Sequence, residues 1–329
     1  MNTSSPLTAA PAIRARIAAA SRILLLTHVN PDGDAIGSAL AMWHALAAFG
    51  RPATVVVTPS VPSYARWLPG ADQIVNYAPG TALPPCDLAI LVDTAELLRA
   101  GPIANDHAAA LAALPTIVID HHLTNSGEAT VNLIDPSAAS TCELLFDLLL
   151  ALDVPISPAC ATALLLGIIT DTQSFQISSA GPRSLRAAAA LEELGAEKRR
   201  IVDAIYFDLP PASAALTGKI IGAMRVEDGV AWAVMDSAIY AEPGADENTS
   251  EEVTRIIQRL GGVAATALFK EREPGIVKIS FRSRPGINVA ALAQRWGGGG
   301  HAQAAGATLR MPLQHALDTV IPLLKRLAQ

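Results

Sequence analysis

Aromatic residues make up only 4% of this 329-residue chain and charged residues only 16%, whereas hydrophobic residues reach 51%. The core is therefore expected to be aliphatic and large, and a chain of this length suggests two domains. There are only three cysteines, Cys86, Cys142 and Cys160, an odd number with no Cys-x-x-Cys spacing. They read as reduced core thiols of a cytoplasmic protein. Mean hydropathy is +0.34, yet no uninterrupted apolar stretch reaches the roughly eighteen residues of a spanning helix, so no membrane partner is expected. The opening Met1-Asn2-Thr3-Ser4-Ser5-Pro6 has no basic segment and no apolar core after it, so it does not read as a signal peptide. No internal repeat is visible, and no low-complexity tract beyond alanine-rich helices such as 187–190.

An excess of positive charge is also missing. The net charge is −6, but from Ser250 onward there are 11 Lys+Arg against 5 Asp+Glu, leaving the deficit to residues 1–249. The acidic bulk argues against strong binding to long nucleic acid. A small phosphate ester, clamped between an acidic cation-binding domain and a basic one, fits the distribution better.

What is present is a recurring local form, an apolar run ending in Asp or His. Thr116-Ile117-Val118-Ile119 leads into Asp120-His121-His122. Ile23-Leu24-Leu25-Leu26-Thr27-His28 leads into Val29-Asn30-Pro31-Asp32-Gly33-Asp34. Leu88 to Val92 leads into Asp93, and Leu164 to Ile169 into Thr170-Asp171. Parallel strands end on one edge of their sheet, where open α/β sheets hold ligands. Four such ends would gather His28, Asp32, Asp34, Asp93, His121 and Asp171. Each acid alone could simply cap a helix. Together they form an oxygen and nitrogen donor set without thiolate, which suits Mn²⁺, Mg²⁺ or a similar ion rather than structural zinc. Six side chains exceed the needs of one catalytic ion and fit two ions sharing a carboxylate. Gly33 would relax the backbone between Asp32 and Asp34.

The remaining pattern predicts helices over 9–20, 36–49 (closed by Gly50), 104–114, 159–169 and much of 182–204. Strands are expected over 22–28, 53–58, 74–77, 88–93 and 116–120. The apolar run within 159–169 could also be a buried strand. Ser140-Thr141-Cys142-Glu143 has the form of a helix cap. Alternating strands and helices imply a parallel sheet covered on both faces. Beyond a linker at Leu209-Pro210-Pro211, strands are expected over 231–235 and 277–282, and helices over 251–260 and 289–296. The run Gly297-Gly298-Gly299-Gly300 before His301 is either a plain helix C-cap and loop or a phosphate cradle with a helix start beyond it. Arg282 is either a solvated strand-end charge or a bidentate phosphate partner.

His28 through Ser38, Val92-Asp93-Thr94, Asp120-His121-His122 and Gly167-Ile168-Ile169-Thr170-Asp171-Thr172 resemble the four motifs of the DHH phosphoesterase superfamily. Phe281-Arg282-Ser283, Gly297 to His301 and Ala304-Ala305-Gly306 look like its associated substrate-binding domain. Length and C-terminal pattern are most similar to the NrnA group of bifunctional oligoribonucleases and 3′-phosphoadenosine-5′-phosphate phosphatases. The resemblance implies an α/β fold: a DHH metal-binding domain over 1–185, a helical linker over 186–213, and a smaller substrate-binding domain over 214–329, with the active site in the cleft between domains. It implies two Mn²⁺ per chain, with Mg²⁺ or Co²⁺ as substitutes. One would lie on His28, Asp32 and Asp93, the other on Asp34, Asp93, His121 and Asp171. His122 would face the transferred phosphate, and Asp120 would orient His121 or nearby backbone. Arg282, Ser283, Gly299, Gly300 and His301 would hold substrate. Expected substrates are short single-stranded RNA or small phosphorylated nucleotides, with no long duplex; a homodimer is left open. Linear dinucleotides from cyclic messengers, pyrophosphate or polyphosphate are alternative substrates, and a non-catalytic nucleotide sensor is a reading from another class.

Overall fold

The computed structural model describes the backbone of residues 1–329; the side chains of Glu247, Asn248 and His301 are outside the described residues. The chain divides into two compact units, Met1–Phe207 and Asp208–Gln329. Counted on those units, the charge split is milder than a cut at Ser250 suggests. Residues 1–207 hold 11 Lys+Arg against 18 Asp+Glu, and residues 208–329 hold 13 against 12. The second unit is nearly neutral, so any anion site in it must be local.

The first unit opens with β1 (Asn2–Thr3), α1 (Pro6–Ala19), β2 (Ile23–Leu26), α2 (Gly33–Ala48), β3 (Ala53–Val57) and β4 (Val75–Asn76). It continues with β5 (Leu88–Val92), α3 (Pro102–Asp106), α4 (Ala108–Ala112), β6 (Thr116–Asp120), β7 (Val131–Ile134), α5 (Thr141–Ala151), α6 (Pro158–Asp171), α7 (Pro182–Glu193) and α8 (Lys198–Tyr206). The strands form a seven-stranded sheet in the order β1-β7-β6-β5-β2-β3-β4, and each neighbouring pair runs parallel. Successive residues of one strand feed two cores. Ile23 and Leu25 join a core with Ile36, Leu40, Leu145 and Leu164, while Leu24 and Leu26 join another with Ile103 and Leu111. That is the two-sided burial of a parallel sheet.

Strand order reverses between β2 and β5. From β2 the chain proceeds outward to β3 and β4, then returns to the other side of β2 and runs outward through β5, β6 and β7. Helical connections leave a crevice at such a reversal, beyond the carboxyl ends of the strands. His28 and Asp93 follow the two strands that flank it.

The helix expected over 159–169 is present and its strand alternative is not: Leu164 to Ile169 lies in α6, so Asp171 ends a helix and is not a fourth strand end. Ser157 caps the start, its hydroxyl accepting from the amide of Cys160, and Pro158 occupies the first turn where its missing N–H is no loss. The stretch expected as one helix over 104–114 is broken at His107 into α3 and α4.

The second unit comprises α9 (Pro211–Gly222), β8 (Arg225–Glu227), β9 (Val230–Met235), α10 (Ser237–Tyr240), α11 (Glu247–Ile257), β10 (Ala265–Glu273) and β11 (Ile276–Ser283). After these come α12 (Val289–Ala293), β12 (Gly299–His301), β13 (Ala304–Arg310) and α13 (Leu313–Leu327). Its six-stranded sheet runs β12-β13-β11-β10-β9-β8 and is mixed, because β9 and β10 pair in parallel and the other neighbours antiparallel. One core joins Phe269, Phe281, Val289 and Val320; another joins Leu216, Val253, Ile257 and Leu268. No helix of the described residues is long and apolar enough to cross a membrane.

Candidate metal centre

Seven side chains from four separate segments of the chain meet at the carboxyl end of the first sheet. His28, Asp32 and Asp93 form one group of donor atoms; Asp34, His121 and Asp171 form another; Asp93 with His121 and His122 forms a third. Within each, candidate ligand atoms lie within 4.8 Å of one another. Asp93 sits between the first two groups with its oxygens divided. Oδ2 is 3.5 Å from Nε2 of His28, and Oδ1 is 3.6 Å from Nε2 of His121. On the far side of His121, Nε2 is 3.5 Å from Asp171 Oδ2 and 4.0 Å from Asp34 Oδ2. Asp32 Oδ2 is 4.0 Å from Nε2 of His28.

Local structure explains how each group reaches this place. Asp93 adopts φ +54 as β5 ends, a left-handed conformation that Asp tolerates better than most residues. Asp32 caps α2, its Oδ1 accepting from the amides of Asp34 and Ala35, so Oδ2 remains for the cluster. The capping and metal readings of Asp32 are therefore compatible. Gly33 is there for space rather than backbone freedom. A Cβ on it would lie 2.4 Å from Thr170 Oγ1, and one on Gly167 would lie 2.6 Å from Asp34 Oδ1. These gaps let α2 and α6 approach closely enough to face Asp34 toward Asp171. Past Asp171, Gln173, Ser174 and Phe175 all take positive φ and turn the chain away. Such non-glycine residues cost on the order of 1–3 kcal/mol each and persist where surrounding structure dictates them.

The histidines are oriented from behind. Nδ1 of His28 is 3.0 Å from the Val29 carbonyl and Nδ1 of His121 is 3.3 Å from the Ala138 carbonyl, leaving each Nε2 toward the carboxylates. His122 is arranged the other way. Its Nδ1 is 2.7 Å from Asp120 Oδ1, so the nitrogen nearest Asp93 is already engaged. Asp120 is fully buried and its Oδ2 accepts from Asn125 Nδ2 at 2.7 Å. The expected partners of Asp120, His121 or the backbone, thus give way to His122 and Asn125, and the sequence alone does not single out Asn125.

The electrostatics are those of a crowded anionic site. Burial, then the charge of Asp93, pushes the Asp34 carboxyl up to about 7. Burial and the charge of Asp34 push Asp171 well above the carboxylate range. Burial opposes ionisation of Asp93 as well, but the hydrogen bond from His28 and the charges of His121 and His122 outweigh it and hold the group down. Burial would lower both His28 and His121; the hydrogen bond and charge of Asp93 raise the first to about 9, and Asp171, Asp93 and Asp34 raise the second to about 9. The cluster retains protons where cations could sit.

The other predicted positions lie in the second unit. Thr266, Arg282, Ala304 and His301 share one rung across β10, β11, β13 and β12. Arg282 is half-buried; burial lowers its pKa, and its guanidinium donates to the carbonyl of Phe281 at 2.8 Å. A small pocket there is lined by Gln258, Val263, Thr266, Arg282, Ser283 and Arg284, and the buried Thr266 hydroxyl has no hydrogen-bond partner. Ser283 Oγ donates to the Ile287 carbonyl. The glycine run leads into the edge strand β12, not into a helix start, so a helix dipole does not contribute there. The His301 side chain lies outside the described residues.

This arrangement accords with comparisons to known proteins. Residues 22–168 match the model of the DHH family, N-terminal domain, and residues 229–328 that of the DHHA1 domain. The bifunctional oligoribonuclease and PAP phosphatase NrnA of Thermus thermophilus is 34% identical over 91% of this chain and 88% of its own length. The cyclic-di-AMP phosphodiesterase PdeA of Listeria monocytogenes is 26% identical over 91% of this chain but only 46% of its own. In fold, the chain is similar to an exopolyphosphatase-related protein from Bacteroides fragilis, with a TM-score of 0.86, 24% identity, and coverage of 98% of this chain and 97% of that one. Two domain matches in order along the chain, and a relative similar over nearly its full length, show that this protein belongs to the DHH family, in its NrnA-like branch with a C-terminal DHHA1 domain.

Proposed function

We propose that this chain is a divalent-cation-dependent phosphoesterase that hydrolyses short oligoribonucleotides to mononucleotides and 3′-phosphoadenosine-5′-phosphate to AMP. One observation carries the reading: Asp93 lies between two Asp/His donor groups at the reversal point of the sheet, its Oδ2 3.5 Å from His28 Nε2 and its Oδ1 3.6 Å from His121 Nε2. Asp34, Asp93 and Asp171 are too close for all to ionise comfortably unless cations offset them, and the donor set lacks thiolate, as Mn²⁺ or Mg²⁺ prefers. His28, Asp32 and Asp93 would hold one ion, and Asp34, Asp93, His121 and Asp171 the other, with Mn²⁺ the first choice and Mg²⁺ or Co²⁺ substitutes. Ions held there would supply Lewis-acid chemistry, activating a water and offsetting charge on phosphoryl oxygens.

The protein's own groups complete the chemistry. His122, held through Nδ1 by Asp120, would use its other ring nitrogen to donate a proton to the leaving alkoxide. Arg282 and the backbone of Gly299 and Gly300 would bind a remote phosphate or the nucleotide, with Ser283 and His301 beside them. The unpartnered Thr266 hydroxyl in the Arg282 pocket supports an anion there. The net charge of −6 disfavours a long duplex and favours a short chain or a small phosphorylated nucleotide. A cytoplasmic location fits the three free thiols.

The similarity to a cyclic-di-AMP phosphodiesterase favours linear dinucleotides as a second substrate reading at the same site. Purified protein with Mn²⁺ should be offered oligoribonucleotides, phosphoadenosine phosphate, linear dinucleotides and pyrophosphate. Preferred release of mononucleotide and AMP supports the proposal. Exclusive turnover of pyrophosphate would redirect it, and nucleotide binding without turnover of anything would make the chain a sensor.

A further inference from the structure

The start of α5 belongs to none of the four motifs, yet it touches two of the carboxylates. The amide of Thr141 donates to Asp34 Oδ2 at 2.7 Å, and that of Cys142 donates to Asp34 Oδ1 at 2.9 Å. The Thr141 hydroxyl donates to Asp93 Oδ1 at 2.9 Å. Thr141 is fully buried. One residue therefore holds the two carboxylates on either side of His121 Nε2.

We infer that Thr141 is a positioning residue that fixes the bridging carboxylate of Asp93 so that one oxygen faces each donor group. The inference rests on the two-ion reading above. Asp93 Oδ2 is held from the His28 side, and Thr141 supplies the neutral donor on Oδ1. Rotation about the terminal torsion of an aspartate is soft, so a hydroxyl at 2.9 Å is what keeps the two oxygens split between the groups. The anchor is itself rigid. Ser140 caps α5 by accepting from the Glu143 amide at 3.0 Å, and the buried Glu143 carboxylate takes the Ser184 hydroxyl and lies 3.3 Å from Arg183. Arg183 also binds Asp135 and Asp147, so the first turn of α5 is tied to α7. Thr141 acts through Asp93 rather than on the substrate.

The test is Mn²⁺ binding by titration calorimetry and by counting bound spins, for the wild-type protein, Thr141→Val, Thr141→Ala and Thr141→Ser. Valine keeps the shape and the amide and removes only the hydroxyl; alanine is the second hydroxyl deletion should valine not fold. Groups that orient metal ligands commonly contribute ten- to hundredfold in affinity. The folded deletion variant should lose that much Mn²⁺ affinity with little change in the melting temperature of the metal-free protein, and Thr141→Ser should regain most of it. Wild-type affinity and two bound Mn²⁺ in a folded deletion overturn the inference while leaving the two-ion reading intact. A deletion that only lowers the metal-free melting temperature also overturns it. A wild-type protein that binds no Mn²⁺ overturns both.

Discussion

In the first unit Asp34, Asp93, Asp120 and Asp171 converge on three imidazoles, and most of these side chains are buried. In the second unit Arg282 sits half-buried beside an unpartnered hydroxyl, in a pocket that Arg284 also lines. Both arrangements hold charge away from water, which is costly without a counter-charge. They differ in how the charge is managed. The acidic cluster is braced on all sides, by helix-start amides on Asp34, by Thr141 on Asp93 and by Asn125 on Asp120. Arg282 instead donates to a backbone carbonyl, that of Phe281. The acidic cluster is held by many donors, whereas Arg282 has one carbonyl and the charge of Glu251. The difference is what the proposed roles of the two groups rest on.

The comparison can be broken most decisively at Asp93. Asp93→Asn should abolish turnover and lower Mn²⁺ occupancy at both donor groups, and it should lower the melting temperature of the metal-free protein, because His28 and His121 lose the charge that holds their protons. Near wild-type kcat in that variant would remove the bridge from the account. Next in size is His122→Ala. Metal content should be unchanged and kcat should fall about 10²–10⁴-fold, the range of a positioned proton donor. His121→Ala, by contrast, should lose metal; equal metal loss in both variants would put His122 among the ligands.

Arg282→Ala probes the other side of the comparison. Losing one charge-assisted contact costs about 1.5–3 kcal/mol, so kcat/KM on a dinucleotide should drop roughly ten- to hundredfold. A generic aryl phosphate, with no second group to hold, should be spared. An equal loss on both substrates would assign Arg282 to the scissile phosphate.

The smallest effect expected is on stability against pH. His28 and His121 both bind a proton more tightly in the folded state than at their ordinary 6.5. Their contribution to the metal-free protein is complete below pH 6.5 and is lost as pH rises through about 9. Asp34, raised from 3.8 to about 7, loses its share in the same direction at lower pH. Mn²⁺ must displace these protons, so it should raise the melting temperature more at about pH 8 than at about pH 6. Equal shifts at the two pH values would show that the cluster is not where Mn²⁺ binds.

Much of the site is legible in the amino-acid sequence, because an apolar run that stops at an acid carries its own meaning. The ends of β2, β5 and β6 are legible that way: burial demands the apolar residues, and nothing in packing demands the Asp or His that follows. Asp171 is legible as a site residue, but the run before it reads as helix or as buried strand, since Leu164 to Ile169 is buried on all sides and shows no period. Gly33 misleads for a related reason. Its role depends on how near Thr170 comes, and that distance is set by the packing of α2 on α6. Thr141 does not stand out, because Ser140-Thr141-Cys142-Glu143 already has a sufficient explanation as a helix cap. In the second unit β13, which begins Ala304-Ala305-Gly306-Ala307, lacks there the branched residues that mark a strand and is held by its neighbours instead. Residues Ala316, Val320 and Leu324 do repeat at helical spacing along α13, a signal that the sequence carries.

The central claim is that two cations share Asp93, and anomalous diffraction at the manganese edge from Mn²⁺-soaked crystals tests it most directly. The account predicts two peaks about 3.5–4 Å apart, one beside His28 and Asp32, one beside Asp34, His121 and Asp171, with Asp93 between them. A single peak, or peaks that Asp93 does not touch, would contradict it.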